Sequence, residues 1–149
     1  MSITHAQICN AVATTLGAAT GITYTQSYNQ LKEGMNDLPT LQVYWDTTSG
    51  DPSGNNDRTT FHAAVRQAEV QILCDLYAAQ RNEVGENMAT LLPLVDAIIN
   101  EIEKQDSTTQ FGLVGLRGFH WSAQRVIFQY TDPLRTYYGA RFTFFFRVY

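Results

Sequence analysis

Residues 138–149 alternate without a break. Ala140, Phe142, Phe144, Phe146 and Val148 fall on one side of an extended chain, and Arg141, Thr143, Phe145, Arg147 and Tyr149 fall on the other. Side chains two apart share a strand face, so a terminal strand over about 138–149 is predicted. Three phenylalanines on one face demand a cover, because burying each is worth about 2 kcal/mol or more. The rest of the chain has to supply that cover.

Three further segments show the same period. Val70, Ile72, Cys74, Leu76 and Ala78 alternate with Glu69, Gln71, Leu73, Asp75 and Tyr77. This predicts a strand over Gln67–Tyr77; the alternative is a start as early as Thr59, in a long hairpin with residues 40–46 across the polar loop. Leu41, Val43 and Trp45 alternate with Gln42, Tyr44 and Asp46, which predicts a strand over 40–46. Gly112, Gly115 and Gly118 precede another strand over 119–130, in which Val126, Phe128 and Tyr130 are expected to face the core. Arg125, Ile127 and Gln129 would then face away, and Asp132-Pro133 starts a turn.

Two segments follow the helical period instead. Thr4-His5-Ala6-Gln7 has the form of a capping box, and Ala6, Ile8, Cys9, Val12, Ala13 and Leu16 make an apolar stripe over about 4–19. Met88, Leu91, Leu92, Val95, Ile98, Ile99 and Ile102 make a second over about 86–104. Pro93 fits a first turn or a kink, so Thr90 is a candidate N-cap. Residues 20–39 read as a connection with a short strand or turn of helix. Residues 47–58 contain no aliphatic or aromatic side chain and read as an exposed polar loop.

The order α-β-β-α-β-β with short connections favours antiparallel pairing. The expected fold is α+β: two layers in one domain over 1–149, a mostly antiparallel four-stranded sheet with two main helices on one face. The other sheet face would carry Tyr77, Arg125, Ile127, Arg141, Phe145, Arg147 and Tyr149, an amphipathic surface suited to a partner.

Composition narrows the function. The chain has 149 residues, 44% hydrophobic and 16% charged, with a formal net charge of −4. A core of ordinary size is available without a metal or disulfide staple. The negative balance argues against general nucleic-acid binding. No run of about 18 apolar residues is present, so no spanning helix is expected, and the first residues lack a signal-peptide pattern. Cys9 and Cys74 are too few for a disulfide framework and read as buried thiols in a cytoplasmic product. The charge is polarised. Residues 1–106 hold 5 basic and 13 acidic side chains, and residues 107–149 hold 5 basic and 1 acidic. Opposite charges in two parts of one chain favour head-to-tail association of copies.

No enzyme signature emerges. His5, His62 and His120 lack metal-ligand spacing. Asp46, Asp51 and Asp57 do not match a calcium loop. Glu83, Glu86, Asp96, Glu101 and Glu103 suit a solvated helix face. The glycines from Gly112 to Gly118 are spaced GxxGxxG and lack GK[ST], so they form no phosphate loop. Arg117, Arg125, Arg135, Arg141 and Arg147 lie among aromatic residues. That mixture suits a protein interface better than a single-stranded nucleic-acid platform. No cofactor is expected.

The layout resembles a known family. The N-terminal helix leads to Leu38-Pro39-Thr40-Leu41-Gln42-Val43-Tyr44, then to the polar loop, the strand Gln67–Tyr77, the helix Met88–Ile102 and the glycine-led strand from Gly115. Tyr137-Tyr138-Gly139-Ala140-Arg141-Phe142-Thr143-Phe144 closes the chain. This order is similar to that of the tail terminator (tail-to-head joining, or tail completion) proteins of long-tailed bacteriophages. The resemblance implies a virion protein of the tail or neck, assembled in the host cytoplasm. It implies a ring, usually a homohexamer, that caps the head-proximal end of the tail tube and ends polymerisation. The implied partners are other copies of the chain, the tail tube protein, and the head–tail connector or head-closure protein. DNA would pass through without specific binding, and no catalytic residue is carried over. Candidate interface residues are Arg125, Ile127, Arg141, Phe145, Arg147 and Tyr149, with Asp51, Asp57 and Arg58 at the polar loop. The alternatives are another neck component such as a head-closure protein, a small-molecule-binding domain, or a nucleic-acid-binding domain.

Overall fold

The computed structural model describes residues 3–28, 38–50, 68–80, 88–105, 110–114, 116–131 and 134–148. Among these residues, two α-helices and a short 3-10 turn accompany one five-stranded sheet. The elements are α1 (His5–Gly17), β1 (Tyr24–Gln26), β2 (Thr40–Gly50), β3 (Ala68–Gln80), α2 (Met88–Glu103), β4 (Leu116–Thr131) and β5 (Leu134–Val148). The sheet order is β1-β2-β3-β5-β4. β1 pairs with β2 in parallel, and every other pairing is antiparallel. The sheet is therefore mixed and has one strand more than expected.

The expected elements start close to where their local signals lie. At the head of α1, Thr4 Oγ1 accepts from the Gln7 amide at 3.2 Å, and Gln7 Oε1 accepts from the Thr4 amide at 2.8 Å. Both halves of the capping box are formed. α2 runs from Met88, so Thr90 lies inside the helix and is not its N-cap, and Pro93 is accommodated at an exposed position. The sequence expected β4 over 119–130 and β5 from 138. Both are longer and meet in a hairpin in which Thr131 pairs with Leu134.

Residues 47–50 depart most from expectation. Thr47, Thr48, Ser49 and Gly50 belong to β2 and pair with Gln71, Val70, Glu69 and Ala68. Backbone pairing needs no apolar side chain when the partner strand is present, and threonine favours extended geometry. A bulge between Trp45 and Thr47 shifts the alternation there. It leaves Trp45 and Thr48 on the helix side, where His5 Nε2 and Thr48 Oγ1 lie 2.7 Å apart. The remainder of the polar loop, with Asp51, Asp57 and Arg58, lies outside the described residues.

Both helices cover the same sheet face. Ile8, Cys9, Val12 and Leu16 of α1 and Leu91, Leu94, Ile98 and Ile102 of α2 pack on it. The sheet contributes Leu41, Val43, Val70, Ile72, Cys74, Leu76, Phe142, Phe144 and Phe146 to this core. Phe111 adds a plug that the sequence did not announce. It sits at positive φ (59°) and packs edge-on against Phe119, Phe144 and Phe146 at 5.2–5.7 Å. Its amide donates to Gln105 Oε1 at 2.8 Å. The left-handed backbone lets a short segment turn its aromatic ring inward.

Among the described residues, no helix is long and apolar enough to cross a membrane.

Tyr77 of β3 pairs with Gly139 of β5, beside a bulge between Tyr77 and Ala79. A Cβ at 139 would lie 1.6 Å from the Leu76 carbonyl oxygen. Gly139→Ala should therefore lower the unfolding free energy by about 3 kcal/mol, measured by urea denaturation. Gly50, with nothing within 4 Å of its notional Cβ, supplies the control. Gly50→Ala should change stability by less than about 0.5 kcal/mol.

Candidate interaction surface

The face of the sheet turned away from the helices has two zones. The first is a small second core. Tyr77 and Phe128 rings stand 4.3 Å apart, Tyr77 and Tyr137 meet edge-on at 5.7 Å, and Leu38 and Val126 pack around them. The second is polar and open. His120 lies flat on Phe145, with ring centroids 4.6 Å apart and planes 11° from parallel. Glu69 sits directly opposite Arg147 in register. Cross-strand neighbours of this kind are the units that stabilise a sheet surface.

An ionic cluster links the zones. Arg141 Nε donates to Asp75 Oδ1 at 2.8 Å, and its Nη2 donates to Asp75 Oδ2 and to Tyr44 Oη at 3.2 Å. The Tyr44 hydroxyl donates to Asp75 Oδ2 at 2.5 Å. The guanidinium also lies 5.9 Å from the centre of the Phe128 ring. The Asp75 side chain is only 2% exposed, whereas that of Arg141 is 37% exposed. Hydrogen bonding to Asp75 holds the Arg141 guanidinium above its ordinary pKa. Burial first, and then the hydrogen bond to Asp75, push the Tyr44 hydroxyl up. The carboxylate is engaged on both oxygens, so the cluster acts as a rivet through β2, β3 and β5.

The structure divides the candidate interface residues. Arg141, Phe145 and Arg147 lie on the outer face, as the alternation required. Arg125 and Ile127 do not. They pair with Ala140 and Tyr138 and so lie on the helix side of the sheet, while Val126 and Phe128 point outward. The expected phase of β4 is reversed. Phe119 and Trp121, rather than Val126 and Phe128, face the phenylalanines of β5. Ala123, Arg125 and Ile127 are exposed on the side meant for the core. Arg141 is held within the fold by Asp75. Tyr149 lies outside the described residues.

The sequence reasoning missed Tyr44 and Asp75. A lone carboxylate at the centre of an apolar strand was the available signal, because such a group needs a partner when buried.

Elsewhere, an open groove of about 720 Å³ runs beside α2, lined by Thr20, Pro93, Asp96, Asn100, Glu101 and Lys104 among others. Lys104 Nζ bonds Glu101 Oε1 at 2.9 Å within it. Among the described residues, its lining contains no histidine or cysteine. Among the described residues, no three His, Cys, Asp or Glu side chains converge as a metal site would require. Both thiols are buried. Burial pushes Cys9 from 9.0 up to about 11. Burial, and then the nearby Asp75 charge, push Cys74 up as well. Both therefore stay protonated and weakly nucleophilic at neutral pH.

No protein-family model matches this chain, and no curated protein matches it in sequence.

Removing Arg141 strands a carboxylate that water cannot reach, whereas removing Asp75 frees a guanidinium that water can reach. Arg141→Met should cost about 3 kcal/mol and Asp75→Asn about 2 kcal/mol. Chemical denaturation of both variants checks the order as well as the size. Cys9 has a second consequence. Its folded pKa exceeds the unfolded value, so its contribution to stability is full below pH 9.0 and is lost as pH rises through about 11. The melting temperature should fall over that window, and less steeply in Cys9→Ala.

Proposed function

We propose that this chain is a structural subunit of a long-tailed phage virion. In this reading it is a tail terminator that closes into a ring at the head-proximal end of the tail tube, ends tube growth and offers a surface to the head connector. The observation that carries the reading is where the charge lies. The five basic residues of 107–149 belong to the sequence of β4 and β5, whereas α2 and the segments before it hold nearly all the acidic ones. Opposite net charge in two parts of one chain favours heterologous contacts between copies, the kind that close into rings. Electrostatic complementarity of this kind sets register and partner choice.

The order of elements adds support through its resemblance to tail terminators. The work of such a protein is surface matching, with no bond made or broken. A head-closure protein of the same neck would share these surfaces and differ in whether it binds the tube or the connector. The nucleic-acid reading loses ground because Arg125 lies on one face of the sheet and Arg141 and Arg147 on the other. A single-strand platform needs them together.

Negative-stain images of the purified chain, alone and mixed with cognate tail tubes, should show closed rings with a central hole, seated on tube ends. Monomer in both samples would refute the reading. Arg125→Glu combined with Arg147→Glu should abolish rings while leaving the circular dichroism spectrum unchanged.

A further inference from the structure

We propose that the outer edge of β4 is a pairing edge for a second copy of this chain, and that the strand it takes is the free run of that copy's β2. The proposal supplies the junction for the ring reading and rests on that reading only for closure into a ring.

β4 is the terminal strand of the sheet, and it is long. Its residues from Leu116 to Thr131 pair with β5 on one side. On the other side, no strand among the described residues adjoins it. A terminal strand of this length presents a row of backbone donors and acceptors, and proteins that stay monomeric blunt such a row with lysines, prolines or bulges. β4 has little of this. Its bulge is confined to the start, between Leu116 and Gly118. From Phe119 to Tyr130 it contains no proline and a single formal charge, Arg125. Ser122, Ala123, Gln124, Ile127 and Gln129 are exposed along it.

Charge and direction select the occupant. Residues 107–149 are net basic and residues 1–106 are strongly acidic, so a β4 edge paired with another β4 would bring two net-basic regions together, whereas β4 against β2 brings a net-basic region to a net-acidic one. The opposite side of the sheet offers the complement. β1 covers β2 only at Thr40, Leu41 and Gln42. Val43 to Gly50 then run on with β3 on one side and no described strand on the other, and that run carries Asp46. β2 and β5 are both antiparallel to β3, and β4 is antiparallel to β5. Carried on in one sense from copy to copy, the sheet therefore sets β4 antiparallel to the next β2, the pairing that prevails through the rest of the sheet. Each copy uses one edge and offers another, which is the heterologous geometry of a ring.

Ser122 and Gln124 on β4 and Ser49 on β2 share the outer face of such a continued sheet. Cys9 and Cys74 are buried and do not compete for a thiol reagent. Full-length Ser122→Cys or Gln124→Cys chains are mixed with Ser49→Cys chains, treated with a short bis-maleimide and run on a denaturing gel. Circular dichroism checks that each variant is folded. A mixed cross-linked dimer is expected in about tenfold excess over either homotypic product, a ratio that two or three favourable cross-strand pairs supply. The double variant Ser49→Cys/Ser122→Cys should give a ladder of higher species. Homotypic Ser122→Cys dimers as abundant as the mixed product would overturn the proposal, and so would the absence of mixed product at both β4 positions. A mixed product in a chain that ignores tail tubes would keep the junction and remove the virion role. Tube binding without the mixed product would do the reverse.

Discussion

The pairing of β3 with β5 sets two incompatible chemistries back to back. On one side Ile72, Cys74 and Leu76 stand opposite Phe144, Phe142 and Ala140, and on the other Asp75 stands opposite Arg141. A slip of one residue would turn the guanidinium into the phenylalanine core and the rings out to water. The register is fixed from both faces at once, by apolar burial on the helix side and by a buried ion pair on the other. Tyr44 extends the pair to β2, and Phe128 carries it towards β4. Four of the five strands thereby meet in one cluster of side chains around Arg141.

Patterns local in the chain were readable from sequence. The alternation of β3 and β5, the capping box of α1 and the apolar stripes of both helices each state their own geometry. Features set by a neighbour were not. β1 is three residues long and exists because β2 lies beside it. Thr47 to Gly50 look like loop until Ala68 to Gln71 are placed opposite them. The phase of β4 was ambiguous because both of its faces carry apolar side chains, with Val126 and Phe128 on one and Ile127 on the other. Thr131 opposite Leu134 resolves it, because that pairing forces odd-numbered β4 residues onto the face of the even-numbered phenylalanines.

The same contrast governs the candidate surface. Exposed alternation placed Phe145 and Arg147 correctly on the outer face. It could not distinguish Arg147, which stays at the surface, from Arg141, which is consumed by Asp75. Charge read along a sequence overstates what remains to attract a partner, because part of it is already neutralised inside the fold. Arg125 and Arg147 remain exposed, on opposite sides of the sheet. A neighbour that engaged both would have to straddle the β4 edge rather than lie flat on either face.

Gly139 has a wider consequence. The main chain of β5 touches that of β3 there, with no side chain between them, at the level where Tyr77 and Tyr137 close the outer aromatic cluster. The long β4–β5 arm is thus clamped partway along its length. Beyond Gly139, β5 pairs with β3 only at Tyr138 and Tyr137 among the described residues, so the hairpin end at Thr131 and Leu134 is carried by β4 and β5 alone.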